Sequence, residues 1–486
     1  MHKRLRLFTT MSFTLAALFA LALKPVWAES VDEKIKALEN ELGQLKAQQV
    51  EIKKEAREAT AAADAMPTIR YRPGRGMSVT GADKSWQGTL MYEGQGHMGF
   101  FPGNARSLDD DTADDGPSQG AMAVRHNEVG FNFQFDDGLF ETGVTIKMDG
   151  SPVRTKSESI AINLGKFSPY YPNIDWLHAS VRSFFDPVYN SSSSSGTTLD
   201  RAFVNDSLYS TASTKGVGLT WEDVPVGMGD FTAGVVYSTG FQFDSKTASN
   251  STDRRAIGTG VNLRPFRGMK DSPLAGLGLG VGHINDYTDS NHGRDFYALS
   301  VGGALNEVDV FGLATRGDRT NTAIWLTYSQ GPIRFGSSYN WHKAERDFTG
   351  DAAGTKVGDA ELDVLLLRGG LFIWGPNGFL SGDENGGLML AFNHFRNFFD
   401  AGSGYSADFG TEDNSFSAMR RYHIIQNIGL LRYFYKPNII FALEYQTSDV
   451  SKMKGSGDAE DARRRLGIRS TGGVAQTVTL AAKFNF

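Results

Sequence analysis

The chain of 486 residues contains no cysteine, and this absence excludes several kinds of chemistry together. Disulfide frameworks, thiolate zinc sites and cysteine nucleophiles all require thiols. Histidine is scarce as well, with 9 residues, and no two histidines have the HxxxH spacing of a metal site. We therefore expect no enzyme, no catalytic residues, no bound metal and no cofactor.

Long apolar runs are absent beyond the amino terminus. There, basic residues precede the apolar stretch Leu7–Leu23, and Val26-Trp27-Ala28 supplies the small residues at which a signal peptidase cuts. This pattern is typical of a secretory signal peptide over residues 1–28, with a retained membrane anchor as the alternative. Removing it would take away four basic residues and lower the net charge from −6 to −10, so nucleic acid is not a predicted partner.

After the signal peptide, a heptad pattern predicts one long helix. Apolar residues recur in 4-3 alternation from Val31 to Ala63, with Gln49 as a polar member of the seam. A single helix cannot bury such a seam, so the pattern predicts a coiled coil over residues 29–66 that brings several copies together. The alternative is a helix packed on its own domain.

Beyond Pro67 the period of the pattern changes from 3.5 to 2. Apolar residues alternate with Gly, Asn, Thr, Gln and charged residues in many stretches, among them Val129–Phe135, Phe140–Ile146, Ile333–Trp341 and Val478–Phe486. This alternation is typical of β-strands with one apolar and one polar face. We expect a linker over residues 67–84 and a β-domain over residues 85–486.

The spacing of the connections distinguishes the possible β-folds. Tight turns such as Gln330-Gly331-Pro332 alternate with long polar connections such as residues 101–120 and 451–473. The architecture of a sandwich or propeller does not require short and long connections to alternate. An outer-membrane barrel does, because its short turns lie at one end and its long loops at the other. The sequence predicts an all-β transmembrane barrel of 16 strands, or 18 if residues 176–184 and one other stretch also form strands.

Several short motifs support this interpretation. They are Ile162–Pro169, Tyr328–Phe335, Gly378–Glu384 with the following Leu388–Phe395, and Leu430–Pro437 followed by Asn438 and Phe441–Tyr445. These stretches resemble strand ends and hairpins of the phosphate-selective porin O and P family and of related trimeric porins with an amino-terminal coiled coil. The resemblance implies a 16-stranded homotrimer. The arginine ladder and lysine ring of that family have no counterpart as a dense run here, so phosphate specificity is not predicted.

Strand parity predicts which side chains face the interior of the barrel. If the apolar positions face lipid, the polar partners line the pore, and we single out seven charged candidates for the pore lining: Lys147, Arg254, Arg264, Arg334, Glu141, Glu361 and Asp363. Opposite charges of this kind could face each other across a constriction. The alternative is that most of them are ordinary solvated wall residues.

The segment over residues 169–212 is unusually long for a connection. Folded inward, it would narrow the pore, with His178, Arg182 and Asp186 as its charged candidates. An external surface loop is the alternative. The last residue, Phe486, completes an alternating strand and resembles the signal that the barrel-assembly machinery recognises.

These predictions give a leading hypothesis for function. It is passive diffusion of small hydrophilic solutes, charged ones included, through a trimeric barrel in the bacterial outer membrane. The barrel would contact the membrane lipid, and the helix would lie in the periplasm. The alternatives are a barrel that tethers the outer membrane to the cell wall without significant transport and, with less support, a barrel enzyme.

Overall fold

The structure is a computed structural model. It describes residues 31–64, 66–73, 75–100, 120–148, 153–179, 185, 214–238, 255–288, 295–301, 308–315, 317–345, 359–375, 378–380, 386–400, 421–436, 438–449 and 474–486. The chain divides into two compact units, Met1–Pro67 and Thr68–Phe486. Among the helical residues described, no segment has the length and the apolar composition needed to cross a membrane.

The first unit contains helix α1 (Val31–Asp64), which confirms the predicted helix. It ends before Pro67, whose ring would clash with the preceding turn and whose nitrogen has no proton to donate. The seam residues Leu38, Leu42, Leu45 and Ile52 are all more than half exposed. A single chain therefore leaves this apolar seam uncovered.

The second unit is a closed antiparallel barrel of sixteen strands, as predicted. Each wall strand pairs with the next along the chain, and β20 returns to pair with β3 from Val478↔Phe100 to Asn485↔Glu93. Because the first and last wall strands pair with each other, neither of them leaves an unpaired edge along this pairing. The wall strands are β3 (Trp86–Phe100), β4 (Gly120–Phe135), β5 (Phe140–Lys147), β6 (Arg154–Ile162), β7 (Asn173–Ala179), β8 (Thr214–Val226), β9 (Gly229–Ser238), β10 (Arg255–Arg264), β11 (Leu277–Thr288), β14 (Gly317–Gln330), β15 (Ile333–Ala344), β16 (Ala360–Trp374), β17 (Gly387–Asp400), β18 (Arg421–Lys436), β19 (Ile439–Asp449) and β20 (Val474–Asn485).

Two short hairpins complete the second unit. Strands β1 (Thr68–Arg72) and β2 (Gly76–Thr80) form one of them, and β12 (Asp295–Val301) and β13 (Val308–Thr315) form the other, within the connection between β11 and β14. The structure thus has a hairpin where the sequence predicts a linker over residues 67–84. Strand β2 pairs with the first part of β3, from Met77↔Leu90 to Thr80↔Gln87. Just beyond the part of β3 that pairs with β2, the last residue Phe486 forms two backbone hydrogen bonds with Tyr92 of β3.

Short and long connections alternate around the barrel. The turn at Gly331-Pro332 is one of the short ones, and Gly331 adopts a positive φ of 54° that glycine tolerates without strain. We call the end with the short connections the turn end and the opposite end the loop end. The turn end also holds the start of β3 and the chain terminus. The longer connections join β3 to β4, β7 to β8, β9 to β10, β11 to β14, β15 to β16, β17 to β18 and β19 to β20.

The two faces of the wall differ in chemistry, and β15 illustrates the rule. Its outward residues Ile333, Phe335 and Trp341 are each more than 40% exposed, whereas Ser338 and Asn340, which alternate with them, are at most 1% exposed. Within the described part of the chain, the outer face is apolar and exposed, as contact with lipid requires, and the inner face is polar, as a water-containing interior requires.

Candidate functional site: the inner wall of the barrel

The inner face of the wall carries several of the predicted charged residues. Glu141 and Lys147 on β5 lie opposite Gln134 and Glu128 of β4, on the face away from the exposed outer Phe133. The Gln134 side-chain amide donates a hydrogen bond of 2.8 Å to Glu141 Oε1. Regular pairing of β4 with β5 holds these side chains toward the interior, because successive side chains of a strand point to opposite faces.

Arg334 also lies on the inner face, near the turn end of β15. Its Nη1 donates to the backbone oxygens of Gly331 and Ile333 at 2.7 and 2.8 Å. The guanidinium carbon lies 5.3 Å from the ring centroid of Phe372 on β16, a cation–π distance. The turn and the neighbouring ring therefore fix the position of this positive charge.

The prediction for Glu361 and Asp363 was wrong, because both lie on the outer face of β16. The inward residues of this strand are Leu362 and Val364, at 1% and 0% exposed. Asp363 pairs across the strands with the outward Trp341 and accepts a hydrogen bond of 3.0 Å from the Tyr339 hydroxyl. Beside them at the loop end, Lys343 forms an ion pair with Asp359 at 2.8 Å. Strand β16 is apolar on both faces, so its alternation does not reveal which face is which.

Arg264 reaches the inner rim at the turn end, within a network of four charges. Its Nε lies 2.6 Å from Asp230 Oδ1, and a second nitrogen contacts Asp223. Arg267 Nη1 contacts Asp230 at 2.7 Å and Asp223 at 3.0 Å. Hydrogen bonds to Asp223 and then to Asp230 raise the pKa of the Arg267 guanidinium above its ordinary value. Two positive and two negative charges cancel, so the network joins two turns rather than adding net charge to the rim.

For the remaining predicted residues, the structure describes no side chain. Arg254, Arg182 and Asp186 are outside the described residues, and for His178 only the backbone, in β7, is described.

Three carboxylates form an acidic wall that the sequence analysis did not assemble. Asp175 on β7 interacts electrostatically with Glu222 on β8 and with Glu141, and Glu222 also interacts with Glu141. Within the described part of the chain, no ion pair neutralises any of the three. Asp175 stands between the apolar Ile174 and Trp176, so strand alternation could have identified it.

The opposite side of the wall is basic. In a ring of sixteen strands, β15 to β17 lie across from β5 to β7. Three arginines project inward from β15, β16 and β18, and Arg432 on β18 interacts electrostatically with Arg368 and Glu444. Lys483 does not belong to this side, because β20 pairs with β3 and the Lys483 ammonium is balanced by Glu93 Oε1 at 2.9 Å. Sequence analysis missed Arg432, although its exposed neighbours Leu431 and Tyr433 mark it as inward.

A closed sixteen-stranded wall with an apolar outer face and charges inside defines the chain as a transmembrane β-barrel. No family model and no curated protein sequence matches the chain. Similar solved structures include the outer membrane channel DcaP of Acinetobacter baumannii, with a TM-score of 0.48 and 13% identity over 83% of this chain and 98% of that chain.

Two further examples have lower TM-scores. An anion-selective porin from Comamonas acidovorans has a TM-score of 0.46 and 11% identity, over 82% of this chain and 100% of its own. Salmonella typhi OmpF has a TM-score of 0.44 and 11% identity, over 86% and 100%. All three TM-scores are below 0.5, so these likenesses carry no functional conclusion for this chain.

Proposed function

We propose that the protein is a porin of the bacterial outer membrane that lets small hydrophilic solutes diffuse passively through its barrel. The observation that carries the proposal is the charged inner wall enclosed by an apolar outer surface. A concentration gradient drives the flux, and the protein supplies a wet path through lipid together with its selectivity.

The arrangement of charge supports a polarised passage. Glu141, Asp175 and Glu222 lie on one side, and Arg334 with Arg368 on the other. Between walls of opposite sign, a dipolar solute is oriented by the field as it passes. Such an arrangement disfavours a strong filter for ions of a single sign.

Conductance of the purified protein in planar bilayers tests the proposal. Stepwise openings are expected, because a water-filled barrel carries ions whenever it inserts. Protein that inserts, as shown by heat-modifiable migration on gels, but passes no current would overturn the proposal. That result would favour the cell-wall tether, since α1 provides a helix with an uncovered apolar seam.

The uncovered seam of α1 supports a trimer held partly by a periplasmic coiled coil. Deleting residues 29–66 is expected to lower the temperature at which trimers dissociate on gels while leaving the unit conductance unchanged. An unchanged dissociation temperature would contradict the role of the seam. Phe486, whose ring lies on the outer surface, is proposed as the assembly signal.

A further inference from the structure

The hairpin of β1 and β2 extends the wall at the turn end and leaves β1 as its outermost strand. Strand β2 pairs with β1 on one side and with the start of β3 on the other. At the corner, Gly76 has a positive φ of 82°, and a Cβ there would lie 2.0 Å from the Leu90 backbone oxygen. Glycine therefore permits a close approach of the hairpin to β3, which fixes the position of β1.

Strand β1 has one paired edge and one open edge. Its five residues, Thr68–Arg72, pair with Gly76–Thr80 on one side, and all five are exposed. Among the residues that the structure describes, no strand pairs with the other side. An exposed edge of this kind presents a row of unpaired backbone N–H and C=O groups, which another extended segment can use for pairing.

One face of β1 is apolar. Ile69 and Tyr71 alternate along the strand and are 68% and 53% exposed. Tyr71 pairs with Met77, which in turn pairs with the outward Leu90 of β3. Paired residues share a face of the sheet, so these side chains continue the outer face of the wall beyond the barrel.

The other face of β1 is basic. Arg70 and Arg72 alternate with the apolar residues, Arg75 follows in the turn, and no acidic residue occurs between Asp64 and Asp83. In the described ranges, none of the three arginines forms an ion pair. A guanidinium binds a carboxylate with two parallel hydrogen bonds, so the charge of this face matches an acidic segment.

A second copy of β1 does not fit the same edge. It would bring Arg70 and Arg72 next to the arginines of the first copy, and like charges opposite each other destabilise a sheet. Antiparallel pairing of two identical edges also requires a two-fold axis, which a trimer lacks. Lipid has no backbone groups to pair with the strand. The edge therefore fits a different polypeptide.

We propose that the open edge of β1 binds an extended acidic segment of another protein as an additional β-strand. Carboxylates at alternate positions of that segment meet Arg70 and Arg72, and the apolar side chains between them pack beside Ile69 and Tyr71. The short turns of outer-membrane barrels face the periplasm, so the partner is a periplasmic protein. This last step rests on the proposed function, whereas the binding itself does not.

A short labelled peptide of alternating Glu and Val tests the charges. Its affinity for the full chain in neutral detergent micelles is measured by fluorescence anisotropy. Arg70→Glu with Arg72→Glu should weaken binding roughly tenfold, because two ion pairs become repulsive contacts. A peptide with Lys in place of Glu should bind this double variant better than wild type. Lys270→Glu, an exposed residue of another turn at the same end, is the control and should bind as wild type.

Peptides N-methylated at alternate residues test the backbone pairing. Only one alternate set of peptide N–H groups faces β1, so methylation of one set should abolish binding and methylation of the other should not. Equal binding of both methylated peptides, or unchanged affinity of the double variant, overturns the proposal. A change in the oligomeric state of the double variant would assign the edge to a second copy, and binding of short-chain anionic lipid without binding of the peptide would assign it to the membrane. Either result overturns the proposal. A silent channel that still binds the peptide would instead overturn the proposed function alone.

Discussion

The two halves of the inner wall differ in how far water reaches them. In the half formed by β4 to β8, which we call the open half, Glu141, Asp175 and Lys147 are partly exposed. In the half formed by the wall strands from β11 to β20, the packed half, charged side chains such as Arg319 and Arg432 are at most 3% exposed. The same residue type therefore has two roles. A buried charge such as Arg319 stabilises the barrel, and a partly exposed charge, such as Asp175 in the open half or Arg334 in the packed half, meets the solute.

The largest expected effect comes from breaking an ion pair in the packed half. Asp286 on β11 and Arg319 on β14 are 0% and 3% exposed and form a salt bridge. Asp286→Ala should lower the free energy of unfolding by about 3–5 kcal/mol, because it leaves a buried guanidinium without its carboxylate. Urea unfolding in detergent micelles measures the change. Asp271→Ala, an exposed carboxylate in a turn, is the control, and an equally small loss for both variants would show that the packed half does not depend on its charges.

Two adjacent residues of β14 test which face meets lipid. Leu326 lies on the outer face and Thr327 on the inner face. Leu326→Arg should cost about 2–4 kcal/mol of stability in a bilayer, because the charge enters the apolar band. Thr327→Arg should cost much less and should change the conductance instead. Folding titrations in lipid vesicles give the free energies, and the opposite order of costs would reverse the assignment of the two faces.

The smallest effect is expected in the open half, and it concerns selectivity. Replacing both Glu141 and Asp175 by their amides should lower the ratio of cation to anion permeability roughly fivefold, since an ion about 8 Å from each carboxylate loses about 0.5 kcal/mol of Coulomb energy per carboxylate in water, about 1 kcal/mol in all. Stability should hardly change. The reversal potential under a salt gradient gives the ratio. Glu361→Gln together with Asp363→Asn removes the same two charges from the outer face, and a shift as large as that of the inner pair would remove the distinction between the faces.

How much of the barrel follows from sequence depends on how unlike the two faces of a strand are. In β5, Phe140 and Ile146 alternate with Glu141 and Lys147, so parity identifies both faces. In β16 the run from Val364 to Leu367 is apolar at every position, so parity does not mark a face there, and the assignment of the charged neighbours Glu361 and Asp363 failed. Neighbouring strands settle the orientation there, through pairings that a single strand does not encode.

The sequence analysis also did not predict contacts between residues that are distant in sequence. The hairpin of β1 and β2 had a local indication, since Pro73 and Gly74 separate two short alternating runs. The contact of Phe185 with Trp325 had no such indication, because one phenylalanine in a long connection is unremarkable. The alternating glycines of β11 marked the partner surface, but only the folded wall brings residues 185, 282 and 325 together.

Single cysteines along β5 test the central claim most directly, because the chain has no other thiol. In intact bilayers, a membrane-impermeant thiol reagent should label Glu141→Cys and Thr145→Cys and reduce the current through both. Thr142→Cys and Val144→Cys, on the lipid face, should remain unlabelled with their current intact. Labelling at all four positions, or at the outer pair alone, would contradict a barrel with lipid outside and water within.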